Sequence, residues 1–160
     1  MDQKKLANWL KVIIVGVAVC CIFICAVLLP ELGKSLMMHY EDEFDYAFWP
    51  CLIFLWVCFI PVFAALVLAW MIAHNLGKGR AFTMENAKLF KIISILAAVD
   101  SAFFVIGNIV LLALWMNHIG FAILSFAVAF VGVAIAVCAA GLSHYVAKAA
   151  QMQDENDLTI

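Results

Sequence analysis

Four apolar runs, at 10–29, 51–73, 92–116 and 119–143, constrain this chain more than any other feature. A hydrocarbon core of ~30 Å takes about 20 helical residues to cross. A helix satisfies its own backbone groups in lipid, so each run is predicted to be a transmembrane helix. With 68% hydrophobic residues and a mean hydropathy of +1.12, the composition lies outside the usual soluble range of about 45–50% apolar. The expected architecture is all-α, one transmembrane domain over 1–160, built as a four-helix bundle with a short tail at 145–160.

Charge sets the expected topology. Lys4 and Lys5 precede the first run and Lys11 stands at its very start, Lys78, Arg80, Lys88 and Lys91 lie between the second and third, and Lys148 follows the fourth, whereas Lys34 stands alone on the other side. The positive-inside rule therefore predicts cytoplasmic N and C termini. The first run is too long for a secretory signal and ends at Pro30-Glu31-Leu32 without a small-residue cleavage site, so it is expected to be retained and to stop there. Val19 before Cys20 argues against a lipoprotein.

The outer segment from Pro30 to Pro50 carries Glu41, Asp42, Glu43 and Asp45, and ends in Phe48-Trp49-Pro50 at the expected headgroup level. Its acids read as a solvated loop, since calcium loops need ligands at defined spacing around a glycine. In the second run Pro61 removes an amide and frees the carbonyl of Val57, which predicts a kink. The loop after it is well punctuated. Gly77 is suited to the left-handed closing residue, Thr83 to an N-cap, and Glu85 to the first turn of the next helix.

Asp100 is the charged residue deep inside an apolar run. A carboxylate at such a depth costs on the order of 2.5–3.5 kcal/mol on insertion scales, so it is expected to face the bundle, neutral or partnered. Asp100, Phe104, Gly107 and Asn108 share a helical face, and His74 and His144 are the nearest expected partners by depth. A polar cluster of Asp100, His74, His144 and Asn108 would relay protons, bind a cation or lock the helices together. In the fourth run Gly132, Ala136 and Ala140 recur every four residues, the spacing that lets helices approach closely, with the third helix as the default neighbour.

Several function classes are disfavoured. Six cysteines include no C-x-x-C pair, and most lie within spans, so thiol–disulfide chemistry is not expected. No catalytic, metal or cofactor constellation stands out, the cations are too dispersed to bind nucleic acid directly, and no enzyme activity is expected.

The stretch Gly79-Arg80-Ala81-Phe82-Thr83-Met84-Glu85-Asn86, with the ending Glu155-Asn156-Asp157-Leu158-Thr159-Ile160, resembles the two signature segments of a YoaS-like family of small bacterial membrane proteins, catalogued as a domain of unknown function. The resemblance implies a multi-pass bacterial plasma-membrane protein of four helices with no assigned reaction. It also implies a regulatory pair, because genes of this kind commonly neighbour a small helix-turn-helix protein.

Three functional readings follow. In the first, a cytoplasmic face made of the 74–91 segment and the tail, with Phe82, Thr83, Glu85, Asn86, Asp157, Leu158, Thr159 and Ile160 as its surface, binds a soluble regulator. In the second, Asp100 serves a small ion-coupled transporter or an oligomeric channel. In the third, the acidic outer loop intercepts a cationic peptide, as an immunity protein would.

Overall fold

The computed structural model describes residues 3–39, 45–116 and 119–157. They form α1 (Gln3–Phe23), a π turn (Ile24–Leu28), α2 (Leu29–His39), α3 (Asp45–Gly77), α4 (Met84–Ala113) and α5 (Ile119–Asp157). Four stretches are long and apolar enough to cross a membrane: Gln3–Ser35, Tyr46–Gly77, Met84–Ala113 and Gly120–Glu155. At 1.5 Å per residue each is about 45–55 Å long, so every helix overruns the hydrocarbon core.

The first span does not stop at Pro30. A proline ring clashes with the carbonyl four residues back and brings no amide. The chain accommodates it by widening one turn, in which the Leu29 amide donates to the Ile24 carbonyl five residues back. The next amide in that pattern would be that of Pro30, which leaves the Cys25 carbonyl without a backbone donor. Trp56 of α3 supplies one, its indole N–H donating to Cys25 O at 3.1 Å. The helix then continues as α2 to His39 and α3 begins at Asp45, so most of the expected outer loop is helical. The acids at 41–43 lie outside the described residues.

Helices α1, α3, α4 and α5 are successively antiparallel, and each packs mainly on its neighbours in the chain. Among the described residues α1 makes at most a glancing contact with α4 or α5, and so does α3 with α5. The four-helix assembly is thus open rather than closed around a core. The α4–α5 pair has the most extensive interface, and the large apolar side chains on the outer faces are exposed, as lipid-facing residues are.

A seven-residue period explains the α4–α5 seam. Ser143 Oγ donates to Ala87 O at 2.7 Å, Ser94 Oγ to Ala136 O at 2.8 Å, and Ser125 Oγ to Asn108 Oδ1 at 2.9 Å, while Ser101 Oγ fills the space a Cβ would need at Gly132. Residues 87, 94, 101 and 108 form one α4 stripe. Opposite them Ala122, Ala129, Ala136, Ala139, Val146 and Ala150 are buried. Side chains this small let backbones approach until hydroxyls reach across to carbonyls, and the heptad repeat keeps the seam in register. The expected four-residue series is corrected here: Ala140 is exposed and Ala139 takes the buried position. The neighbour is α4, as expected.

Both loops flanking α4 close in the same way. After α3, the Arg80 amide donates to Asn75 O and the Gly79 amide to Leu76 O, each at 3.0 Å, with Gly79 at φ 76°. The left-handed closing residue is therefore Gly79, and Gly77 remains helical. After α4, the Met116 amide donates to Leu111 O at 2.9 Å and the Trp115 amide to Leu112 O at 3.1 Å, with Trp115 at φ 59°. A tryptophan thus occupies a position that usually requires glycine.

Candidate functional site

The loop joining α3 to α4 is built around one carboxamide. Thr83 caps α4 in an extended conformation, its Oγ1 accepting from the Asn86 amide at 3.3 Å, and Glu85 lies in the first turn, both as expected from sequence. Asn86 is 1% exposed. Its Nδ2 donates to Arg80 O at 2.8 Å and Ala81 O at 2.9 Å, and its Oδ1 accepts from Asn75 Nδ2 at 2.8 Å. One side chain therefore ties the end of α3 and the loop to the start of α4. It is the fastening of the loop and is too buried to be part of a docking surface, contrary to expectation.

What the loop presents is Phe82, 56% exposed, with Met84 exposed beside it. Arg80 Nη2 lies 3.6 Å from Glu85 Oε2, an exposed pair. Such a pair contributes about 0–1 kcal/mol, so it orients the loop edge more than it stabilises it. Lys78, Lys88 and Lys91 are exposed around the same end. Helix α5 passes this loop: Ala150 is buried, residues 151–155 are exposed, and the helix continues to Asp157. The short tail expected from sequence at 145–160 is therefore helical as far as Asp157. Leu158, Thr159 and Ile160 lie outside the described residues.

The intramembrane polar residues do not gather into one cluster. Asn108 donates from Nδ2 to Phe104 O at 2.8 Å and accepts from Ser125, within the α4–α5 seam. His74 and His144 are exposed and sit at the level of Ala87, 13 residues or about 20 Å of helix from Asp100. The structure therefore does not bring the histidines to Asp100. That residue lies on the stripe of α4 that faces α3, and its Oδ1 is buried with no hydrogen-bond partner.

Sequence reasoning missed three features at the opposite end of the helices. Tyr46 Oη donates to Trp115 O at 3.0 Å, Cys51 Sγ lies 3.4 Å from Met116 O, and Trp115 itself is 82% exposed. The only prior signal was the density of aromatic residues beside the spans.

Four membrane-length helices, with no strand among the described residues, define an all-α multi-pass membrane protein. Within that class, the chain belongs to the family described as protein of unknown function DUF2975, whose model matches residues 36–160. It is similar to the uncharacterized membrane protein YoaS of Bacillus subtilis (strain 168), at 27% identity over 154 residues, covering 95% of this chain and 96% of that one. A multi-pass location in the plasma membrane accords with that relative and with the four spans. No solved structure matches.

Proposed function

We propose that this protein is an interaction module that docks a soluble partner at the cytoplasmic face of the membrane, through the 78–85 loop and the projecting end of α5. The observation that carries the reading is the Asn86 fastening. A buried carboxamide with both donors engaged holds the loop in one conformation, and a recognition loop gains affinity from being held so before binding. That loop displays an exposed phenylalanine among lysines. The partner chemistry that fits is an apolar anchor flanked by acids, carried on a small regulator such as a helix-turn-helix protein.

The cytoplasmic assignment rests on the charge asymmetry of the sequence. The transporter reading is less well supported, because among the described residues the helices pack in an open row, each mainly on its neighbours in the chain.

The test places a photo-crosslinking residue at Phe82 in the full chain in living cells. A discrete soluble protein should be captured, and Asn86→Ala, which frees the loop but leaves Phe82 in place, should weaken capture several-fold. Capture of lipid alone, or capture indifferent to Asn86→Ala, would refute the proposal. Labelling of Phe82→Cys only after permeabilisation should confirm the side, and labelling from outside would overturn it.

A further inference from the structure

Two contacts fix how α3 and α4 face one another. At one end Asn75 bonds Asn86, and at the other the ring of Phe54 occupies the space a Cβ would need at Gly107. The contacts are 21 residues apart on each helix, 54 to 75 and 86 to 107, which is three heptads. The intermediate heptad positions therefore face each other too, and Asp100 comes opposite Pro61.

That juxtaposition brings together two incomplete groups. Pro61 has no amide, so the Val57 carbonyl, one turn away on the same face of α3, lacks its helical donor. Asp100 Oδ1 is buried without a partner. Each lacks what one shared hydrogen would provide: a protonated carboxyl is a donor, and a helix carbonyl left open by proline is an acceptor.

We propose that Asp100 is a proton-binding site within the α3–α4 interface, its neutral form donating the carboxyl O–H to the carbonyl of Val57. The proton comes from water. When it binds, the carboxylate becomes a carboxylic acid and the O–H···O bond to α3 forms. When it leaves, the bond breaks and a bare carboxylate remains between two apolar helices.

The alternative occupant, a metal cation, fits less well. Hard cations take six or more oxygen ligands, and this position offers one carboxyl and one carbonyl. No fixed cation serves either. At this level α3 contributes Pro61 and the Cys58 thiol, which is within electrostatic reach of Asp100, and α5 contributes Gly132 and Ala136. Among the described residues none of these is basic, and Cys58 is the other titratable group. An ionised Asp100 is stable only if water reaches it, which requires α3 and α4 to part. The break in the α3 ladder at Pro61 is where α3 can bend to allow that. Proton release and movement of α3 are thereby coupled.

The test is infrared difference spectroscopy of the full chain in phospholipid vesicles, stepped between about pH 4 and pH 9. A carboxylic-acid carbonyl band should titrate and vanish in Asp100→Asn. Asp100→Glu, which keeps the acid and shifts the band, supplies the assignment if the asparagine variant does not fold. In Pro61→Ala the restored amide competes for Val57 O, so the Asp100 band should move to higher frequency as its O–H loses its acceptor. A missing or non-titrating Asp100 band, or one unmoved by Pro61→Ala, would overturn the proposal.

Discussion

Trp56 and Cys25 are joined by a hydrogen bond from the indole nitrogen to a main-chain carbonyl at 3.1 Å, and the reason for that bond is Pro30, five residues further along the first span. The proline removes the donor, the π turn removes the clash, and a side chain from the next helix restores the donor. An unsatisfied carbonyl is costly in lipid, so the three residues are expected to act as a unit. Trp56→Phe should destabilise the detergent-solubilised protein by about 1–2 kcal/mol. In a Pro30→Ala background the amide returns and the same substitution should cost much less. Equal costs in both backgrounds, measured by thermal unfolding, would show that the indole bond has nothing to do with the proline.

The Asn86 carboxamide closes three hydrogen bonds at once. Asn86→Ala leaves two loop carbonyls and the Asn75 amide to find other partners, with an expected loss of about 2–3 kcal/mol. Asn75→Ala removes one of the three and should cost about 1 kcal/mol. Faster amide hydrogen exchange at residues 79–83 should accompany the first substitution and be weaker in the second.

The fold was largely legible in the sequence because the bilayer leaves few choices: a 20-residue apolar run can hardly be anything but a span. Thr83 and Glu85 were legible for a similar reason, since a cap is a local matter of residue type and position. What the sequence hid depended on partners distant in the chain. The helix past Pro30 needed Trp56, 26 residues on. The role of Asn86 needed Asn75 and the Schellman turn at Gly79. His74 lies in the last turn of α3 and His144 is level with it on α5, which runs on to Asp157, yet Asp100 is some 20 Å away along α4, and only the packing register makes that difference visible. The ending at 158–160 lies outside the described residues.

Gly132 and Gly141 lie on one helix and make opposite predictions. A Cβ at Gly132 would run into Ser101 Oγ, whereas one at Gly141 meets nothing within 4 Å. Gly141→Ala should therefore be neutral or stabilise by up to about 1 kcal/mol, the usual helical preference. Gly132→Ala should destabilise by about 1–3 kcal/mol, as overpacking does, and Ser101→Gly should recover most of that loss. Failure of the rescue would mean that the α4–α5 seam is not held at this distance by Ser101.

Trp115 holds a left-handed backbone that costs a non-glycine residue roughly 1–2 kcal/mol, yet both turn hydrogen bonds are made. The cost is offset in part by Tyr46, whose hydroxyl donates to the Trp115 carbonyl from the start of α3. The ring gains nothing from the protein interior, being 82% exposed, and at the end of a span it stands where aromatic rings favour the headgroup region. Backbone relief and interfacial anchoring therefore pull in opposite directions. In detergent, where the bilayer interface is absent, Trp115→Gly should stabilise the protein by about 1 kcal/mol, because the strain is removed and the turn kept. In phospholipid vesicles the gain should shrink or reverse. Fluorescence quenching by lipids brominated at shallow and deep positions should place the ring near the headgroups. Equal stabilisation in both media, with no quenching by the shallow label, would show that the strained tryptophan is not there for the membrane.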